Sequence, residues 1–371
     1  MTTVMTTAEA VVESLLRHGI DTLYALPGVH NDPLFDAAQK AGDRLRVIHP
    51  RHEQTAGYMA LGAALATGKP QAFAVVPGPG FLNASAALLT AWGMGAPVLA
   101  IVGQIPSFAI DQGHGHLHEI PDQLGMLRHL TKFAARIGSA QDAPGLVAQA
   151  LRAAMSGRRR PVALECAIDV WPKSGPVAFP EILPPEVPVA DPALVARAAE
   201  ILGNAKRPLI AVGGGAIGAE AEVRAVAEAL QAPVLSFRRG RGVMPTTHPL
   251  AVSYPVGHRL WKDADAVLAI GTRLYWSQSW WGVDDQLPIV RLDIDPEEFD
   301  RFRTPACALL GDAAPTLRTL LAALPAGERP GRDAEIAPHK EWVAQRLARL
   351  DPQMVFLRAM RAALPADGLF I

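Results

Sequence analysis

The sequence predicts an α/β protein of two doubly wound parallel-sheet domains, followed by the start of a truncated third. Three observations predict it. Apolar runs of strand length alternate with helical stretches from Thr22 to Ala167 and again from Pro208 to Leu324, the order that builds βαβ units. The runs are continuously apolar, as in strands buried on both faces. Two proline-rich stretches without periodicity, 175–189 and 325–337, read as linkers. Domains are therefore expected at 1–174, 190–325 and 338–371.

The elements follow in order. Thr6-x-x-Glu9 is a capping box, and Ala8, Val11, Val12, Leu15 and Leu16 form one apolar stripe that Gly19 ends. Strand 22–26 runs into the turn Pro27-Gly28-Val29-His30, and a second helix leads to strand 45–49. A helix of small residues then starts near Glu53, followed by strand 71–76, helix 81–91 and strand 97–103. After a loop come helix 142–155 and strand 161–167. Beyond the first linker, Asp191-Pro192 is an N-cap and first-turn pair for a helix to Leu202. Strands at 208–212, 233–237, 266–270 and 289–294 and helices 219–230 and 312–324 complete the second domain. Helices 340–350 and 353–364 follow, and an apolar strand is expected to begin at 367–371.

Composition narrows the function. Of 371 residues 50% are apolar and 19% charged, with a formal net charge of −1. Arg158-Arg159-Arg160 is the longest run of like charge, so there is no basic face for nucleic acid. Residues 70–110 carry no charge, yet prolines and glycines divide them into pieces too short for a spanning helix of roughly 20 residues. No membrane association is expected. Two cysteines, Cys166 and Cys307, and a polar N-terminus without a signal core point to the cytoplasm.

An acid at a strand–helix junction beside a glycine-rich turn can hold a buried heterocycle and protonate it. Arg51-His52-Glu53-Gln54-x-Ala56 supplies the acid, and Gly78-Pro79-Gly80 with Asn83 the turn. Desolvation against a ring would raise the carboxyl's pKa; Glu53 also reads as a plain first-turn acid favoured by the helix dipole. With Pro27-Gly28 and Gly103-Gln104-Ile105-Pro106 these motifs make four in sequence, and in order and spacing they resemble the thiamine diphosphate enzymes of the acetolactate synthase-like superfamily.

The resemblance implies a pyrimidine-binding domain followed by a Rossmann-like central domain, and a lyase, carboligase or decarboxylase of 2-keto acids or aldehydes. Glu53 would promote the imino form of the cofactor's aminopyrimidine. Pro27, Gly28, Pro79, Gly80 and Asn83 would shape the ring pocket, the glycines letting backbone approach the ligand. His30 stands at a turn where certain aldehyde-joining lyases carry a histidine, and is expected to relay protons; it also reads as an exposed turn histidine. His118, in Leu117-His118-Glu119, replaces the glutamine of Phe-Gln-Glu in acetolactate synthases, so a different acyl donor or acceptor is implied. By the resemblance His30, Gln104 and His118 are expected near substrate, and His118 also beside the cofactor. Homodimers or homotetramers are implied.

Other motifs leave alternatives open. His114, His116 and His118 alternate and would share one face of an extended strand, but they lack a completing ligand set for zinc. Gly213-Gly214-Gly215-Ala216-Ile217-Gly218 fits G-x-G-x-x-G, with Arg238 and Arg239 where an acid is expected. An NADP- or FAD-linked oxidoreductase is thus a second reading, and a ligand-free strand–helix turn a third. By resemblance the central domain could hold FAD or ADP, with Arg158 matching an arginine near flavin, although Arg273-Leu274-Tyr275-Trp276 departs from the flavin pattern. Trp276, Trp280 and Trp281 read as a subunit contact. The Gly-Asp-Gly motif that holds diphosphate and Mg²⁺ in such enzymes is missing, since Gly311-Asp312-Ala313 lacks the second glycine. The magnesium site is therefore expected outside this chain, through truncation or a separate subunit. A non-catalytic subunit is the remaining alternative.

Overall fold

The structure, a computed structural model, describes residues 3–281 and 286–370. The chain divides into two compact units, 1–186 and 187–371.

In the first unit β1 (Thr3–Thr6) leads into α1 (Thr7–Arg17), whose capping box is formed as expected: Thr6 Oγ1 accepts from Glu9 N at 3.1 Å and Glu9 Oε2 from Thr6 N at 3.0 Å. Next come β2 (Thr22–Ala25), α2 (Asp32–Ala41), β3 (Arg46–Ile48), α3 (Glu53–Thr67), β4 (Gln71–Val75), α4 (Pro79–Met94) and β5 (Val98–Gln104). Then follow α5 (Gln123–Leu130), β6 (Ala134–Ile137), α6 (Ala143–Met155), β7 (Val162–Ala167) and β8 (Ser174–Val177). Six parallel strands lie in the order β3-β2-β4-β5-β7-β6. The residues of α1, α2 and α6 cover one face through Val11, Leu15, Leu34 and Val147. The other face is covered by α3, α4 and α5 through Ala60, Phe81, Leu88 and Leu127. The stretch 70–110 becomes β4, α4 and β5, and α4 leaves Leu82 and Leu89 exposed.

In the second unit α7 (Pro192–Asn204) is capped by Asp191, whose side chain accepts from Ala193 N. It is followed by β9 (Pro208–Val212), α8 (Glu220–Leu230), β10 (Val234–Ser236), β11 (Ala251–Val252), α9 (Tyr254–Trp261), β12 (Ala266–Ile270) and α10 (Tyr275–Trp280). Then come β13 (Ile289–Asp293), β14 (Cys307–Leu310), α11 (Ala313–Ala323), α12 (Asp333–Leu347) and α13 (Gln353–Ala363). The parallel sheet runs β11-β10-β9-β12-β13-β14, the strand order of a dinucleotide-binding fold. Val195, Val223 and Leu317 from α7, α8 and α11 pack with Ile210, Leu268 and Val290, and Trp261 covers Leu209 and Val267 on the other face.

Several elements depart from expectation. The linker predicted from residue 175 opens with β8, which pairs antiparallel with β1; each strand has four residues, too few to show a period. The linker predicted to 337 ends earlier, because α12 begins at Asp333 and Ile336 enters the core. His339 Nδ1 accepts from Arg259 Nε at 3.0 Å, so α12 is docked on α9, whereas α13 buries no residue. Residues 368–370 take no regular structure, where a strand was expected, and Ile371 lies outside the described residues.

Candidate active site

In the first sheet the winding direction reverses between β2 and β4, and in open α/β sheets ligands bind at the carboxyl end of such a pair. The turn after β2, the turn after β4 and the N-terminus of α3 meet there. Val76 joins them. A Cβ on Gly28 would lie 2.6 Å from Val76 Cγ1, and one on Gly80 would lie 2.7 Å from Val76 Cγ2 and 3.8 Å from Glu53 Cγ. The two glycines thus let the turns close on a valine side chain, a reason different from the expected approach of ligand to backbone. Pro27 and Pro79 are exposed on these turns.

Glu53 is the first residue of α3, half-buried, after His52, whose side chain accepts from Gln54 N. Its Oε2 accepts from Asn83 Nδ2 at 3.1 Å, across 30 residues of sequence. Among the described residues this is the carboxylate's one hydrogen bond, and Oε1 has an open lone pair.

His30 is 5% exposed, so the reading of it as an exposed turn histidine is corrected. Its ring stacks on that of His118, with centroids 4.9 Å apart and planes 23° from parallel. Nδ1 of each ring is buried and without a hydrogen-bond partner. Burial, and then the neighbouring His118, push the pKa of His30 below the ordinary value. His118 itself adopts φ +69°, and its carbonyl would be 2.6 Å from a Cβ on Gly78. Gly78, at φ +58°, is therefore required both by its own backbone and by this contact.

Gln104 closes β5 and is held there by hydrogen bonds. It is 3% exposed; its Oε1 accepts from Ile105 N at 2.8 Å and its Nε2 faces Glu165 Oε2 at 3.4 Å. Glu165, fully buried on β7, also accepts from Arg136 Nε at 2.6 Å and Gln123 Nε2 at 2.9 Å. Gln123 reaches Gly103 O at 3.0 Å and accepts from Gly78 N at 3.3 Å. Sequence reasoning missed Val76, Gln123 and Glu165. An acid inside the apolar run Val-Ala-Leu-Glu-Cys-Ala was the available signal for Glu165, since a buried charge requires partners.

The alternating histidines do not share a face. His118 faces His30, while His116 lies edge-on to Phe108 at 6.0 Å and tilted to His114 at 6.3 Å. No three His, Cys, Asp or Glu side chains among the described residues could hold a metal. The Glu119 carboxylate, bonded by His116 N at 2.7 Å, is held below its ordinary pKa by that backbone hydrogen bond.

In the second unit the glycine turn packs against backbone. A Cβ on Gly213 would lie 2.3 Å from Gly271 O, and one on Gly215 would lie 2.7 Å from Gly271 Cα. The two turns at the ends of β9 and β12 touch through Gly213 and Gly215 on one side and Gly271 and Thr272 on the other. Glu220 opens α8 and accepts from Gly218 N at 2.9 Å, which sets a negative charge where a dinucleotide's phosphate would sit. This arrangement favours the ligand-free reading of the turn. Trp276 and Trp280 are exposed, whereas Trp281 is half-buried against Tyr254, His258 and Trp261.

Two family descriptions match the chain: residues 5–126 match the N-terminal TPP-binding domain of thiamine pyrophosphate enzymes, and residues 195–320 their central domain. The chain is 35% identical over 384 residues to the probable 2-ketoarginine decarboxylase of Pseudomonas aeruginosa, covering 98% of this chain and 66% of that protein. It is 33% identical to oxalyl-CoA decarboxylase of Escherichia coli, covering 85% and 57%. It is also 30% identical to sulfoacetaldehyde acetyltransferase of Rhodobacter capsulatus, covering 98% and 68%. The chain thus spans between about half and two thirds of these relatives' length. Two consecutive domain matches, on two doubly wound sheets with an acid at the first switch point, establish that the chain belongs to the thiamine diphosphate-dependent enzymes of the acetolactate synthase-like class.

Proposed function

We propose that the first unit is the pyrimidine-holding part of a thiamine diphosphate-dependent decarboxylase or carboligase that acts on 2-keto acids, with aldehydes as partners. The observation that carries this is the Glu53–Asn83 hydrogen bond at the switch point. The residues fit the cofactor's ring: a half-buried carboxylate with an open oxygen, glycine turns closed around Val76, and buried unpartnered nitrogens on His30 and His118. When bound, thiamine diphosphate supplies a carbon acid whose conjugate base adds to a carbonyl carbon.

Glu53 holds a proton against a ring nitrogen, and Asn83 fixes the orientation of its carboxylate. His30, kept neutral by burial, accepts or donates a proton at the substrate end, with His118 stacked beside it. Pro27, Gly28, Pro79 and Gly80 wall the ring. We place the diphosphate and Mg²⁺ on protein other than these two units, and the active assembly as a homodimer or homotetramer with Trp276 and Trp280 in contact. Two buried free thiols suit the cytoplasm. The contact of Gly213 and Gly215 with Gly271 supports a structural turn over FAD, ADP or NADP at this place.

The test is titration of the full-length protein with thiamine diphosphate and Mg²⁺, then CO₂ release from a panel of 2-keto acids. Glu53→Gln is expected to lower kcat by about 10²–10⁴-fold, with cofactor affinity changed less. Absence of cofactor binding, or an unchanged kcat in this variant, overturns the assignment.

A further inference from the structure

The fully buried Glu165 lies outside the chemistry proposed above, and a buried carboxylate is retained only where donors compensate its desolvation. Three side chains do so: Arg136, Gln123 and Gln104. Gln123, 1% exposed, is the informative one. Glu165 and Gly103 O are acceptors and demand its NH₂ group, whereas Gly78 N–H demands its oxygen. Only one orientation of the amide satisfies all three. The charge of Glu165, anchored by Arg136, therefore locks Gln123, and Gln123 pins the turn from which α4 starts. The first turns of α4 carry Gly80 and Asn83, so the pin reaches the hydrogen bond on Glu53.

Resting on the function proposed above, we infer that Gln123 is a positioning residue for the Gly78-Pro79-Gly80 turn, locked by the Arg136–Glu165 ion pair. It touches neither Glu53 nor the stacked histidines through any hydrogen bond. Its effect passes through backbone at Gly78, which His118 covers from the other side.

Gln123→Leu removes the pin. In the full-length protein without cofactor, amide hydrogen exchange of a peptide spanning 76–83 is expected to quicken about tenfold, as for loss of one buried hydrogen bond. In the loaded enzyme KM for thiamine diphosphate should rise about tenfold, with kcat within about threefold. Gln123→Glu adds a conditional pin. Protonated, the introduced carboxyl can donate to Glu165 and accept from Gly78; ionised, it repels Glu165. Relative to wild type, exchange at 76–83 and KM should both be near normal at low pH and worsen as pH rises. Should Gln123→Leu fail to fold, this pH series decides alone. A pH-independent ratio, or unchanged exchange at 76–83, overturns the inference. Wild-type protein without cofactor-dependent turnover would instead sink the functional assignment, while the exchange data still decide the role of Gln123.

Discussion

Asn83 on the second turn of α4 donates to Glu53 on the first turn of α3, Nδ2 to Oε2 at 3.1 Å. Among the described residues the pair is the one direct hydrogen bond between these two helix starts, and it sets which carboxylate oxygen stays open. Asn83→Ala is expected to leave the fold intact and lower kcat about tenfold, less than Glu53→Gln, because it loses orientation and keeps the acid. Steady-state kinetics of the two variants side by side check the ranking.

His30 makes stability pH-dependent. Its folded pKa lies below the unfolded value of 6.5, so below that value the unfolded chain binds more protons than the folded one. The stability present above about pH 6.5 is lost as pH falls toward the folded pKa. His30→Gln should flatten the fall of Tm as pH drops below about 6.5. Thermal unfolding at several pH values measures it.

Gly78→Ala meets two obstacles, a left-handed φ of +58° and the His118 carbonyl at 2.6 Å from the new methyl. A loss of about 2 kcal/mol or more is expected from denaturant midpoints. Gly62→Ala, exposed in α3 with open space around its Cβ position, is the control and should be neutral or slightly stabilising.

Gly215→Ala should destabilise the second unit by about 1–3 kcal/mol, because its methyl would fall 2.7 Å from Gly271 Cα. If the turn's glycines serve this backbone contact, the loss appears equally with and without added NADPH, FAD or ADP in thermal unfolding.

Much of this was legible in the sequence. Most of the parallel strands are apolar runs, and Gly78 and Gly80 mark the turn into α4 as plainly as Glu53 marks the start of α3. What escaped was short or non-local. β6, β11 and β14 have four residues or fewer, and α5 has only eight residues, with Gly125 among them. Gln123 and Glu165 are 42 residues apart and meet only because β5 and β7 are neighbours; no periodicity encodes such a meeting. His30 stands out at its turn, but its burial depends on His118 from a loop 88 positions later, which no local pattern shows.

The charge-free stretch that forms β4, α4 and β5 has a practical consequence for handling. Net charge is −1 and the isoelectric point near 6.8, so little long-range repulsion keeps molecules apart in neutral buffer. Leu82 and Leu89 on α4 add uncovered apolar surface to that of Trp276 and Trp280. Purification a unit or two of pH away from neutrality should keep the preparation clear, and turbidity should peak close to the isoelectric point.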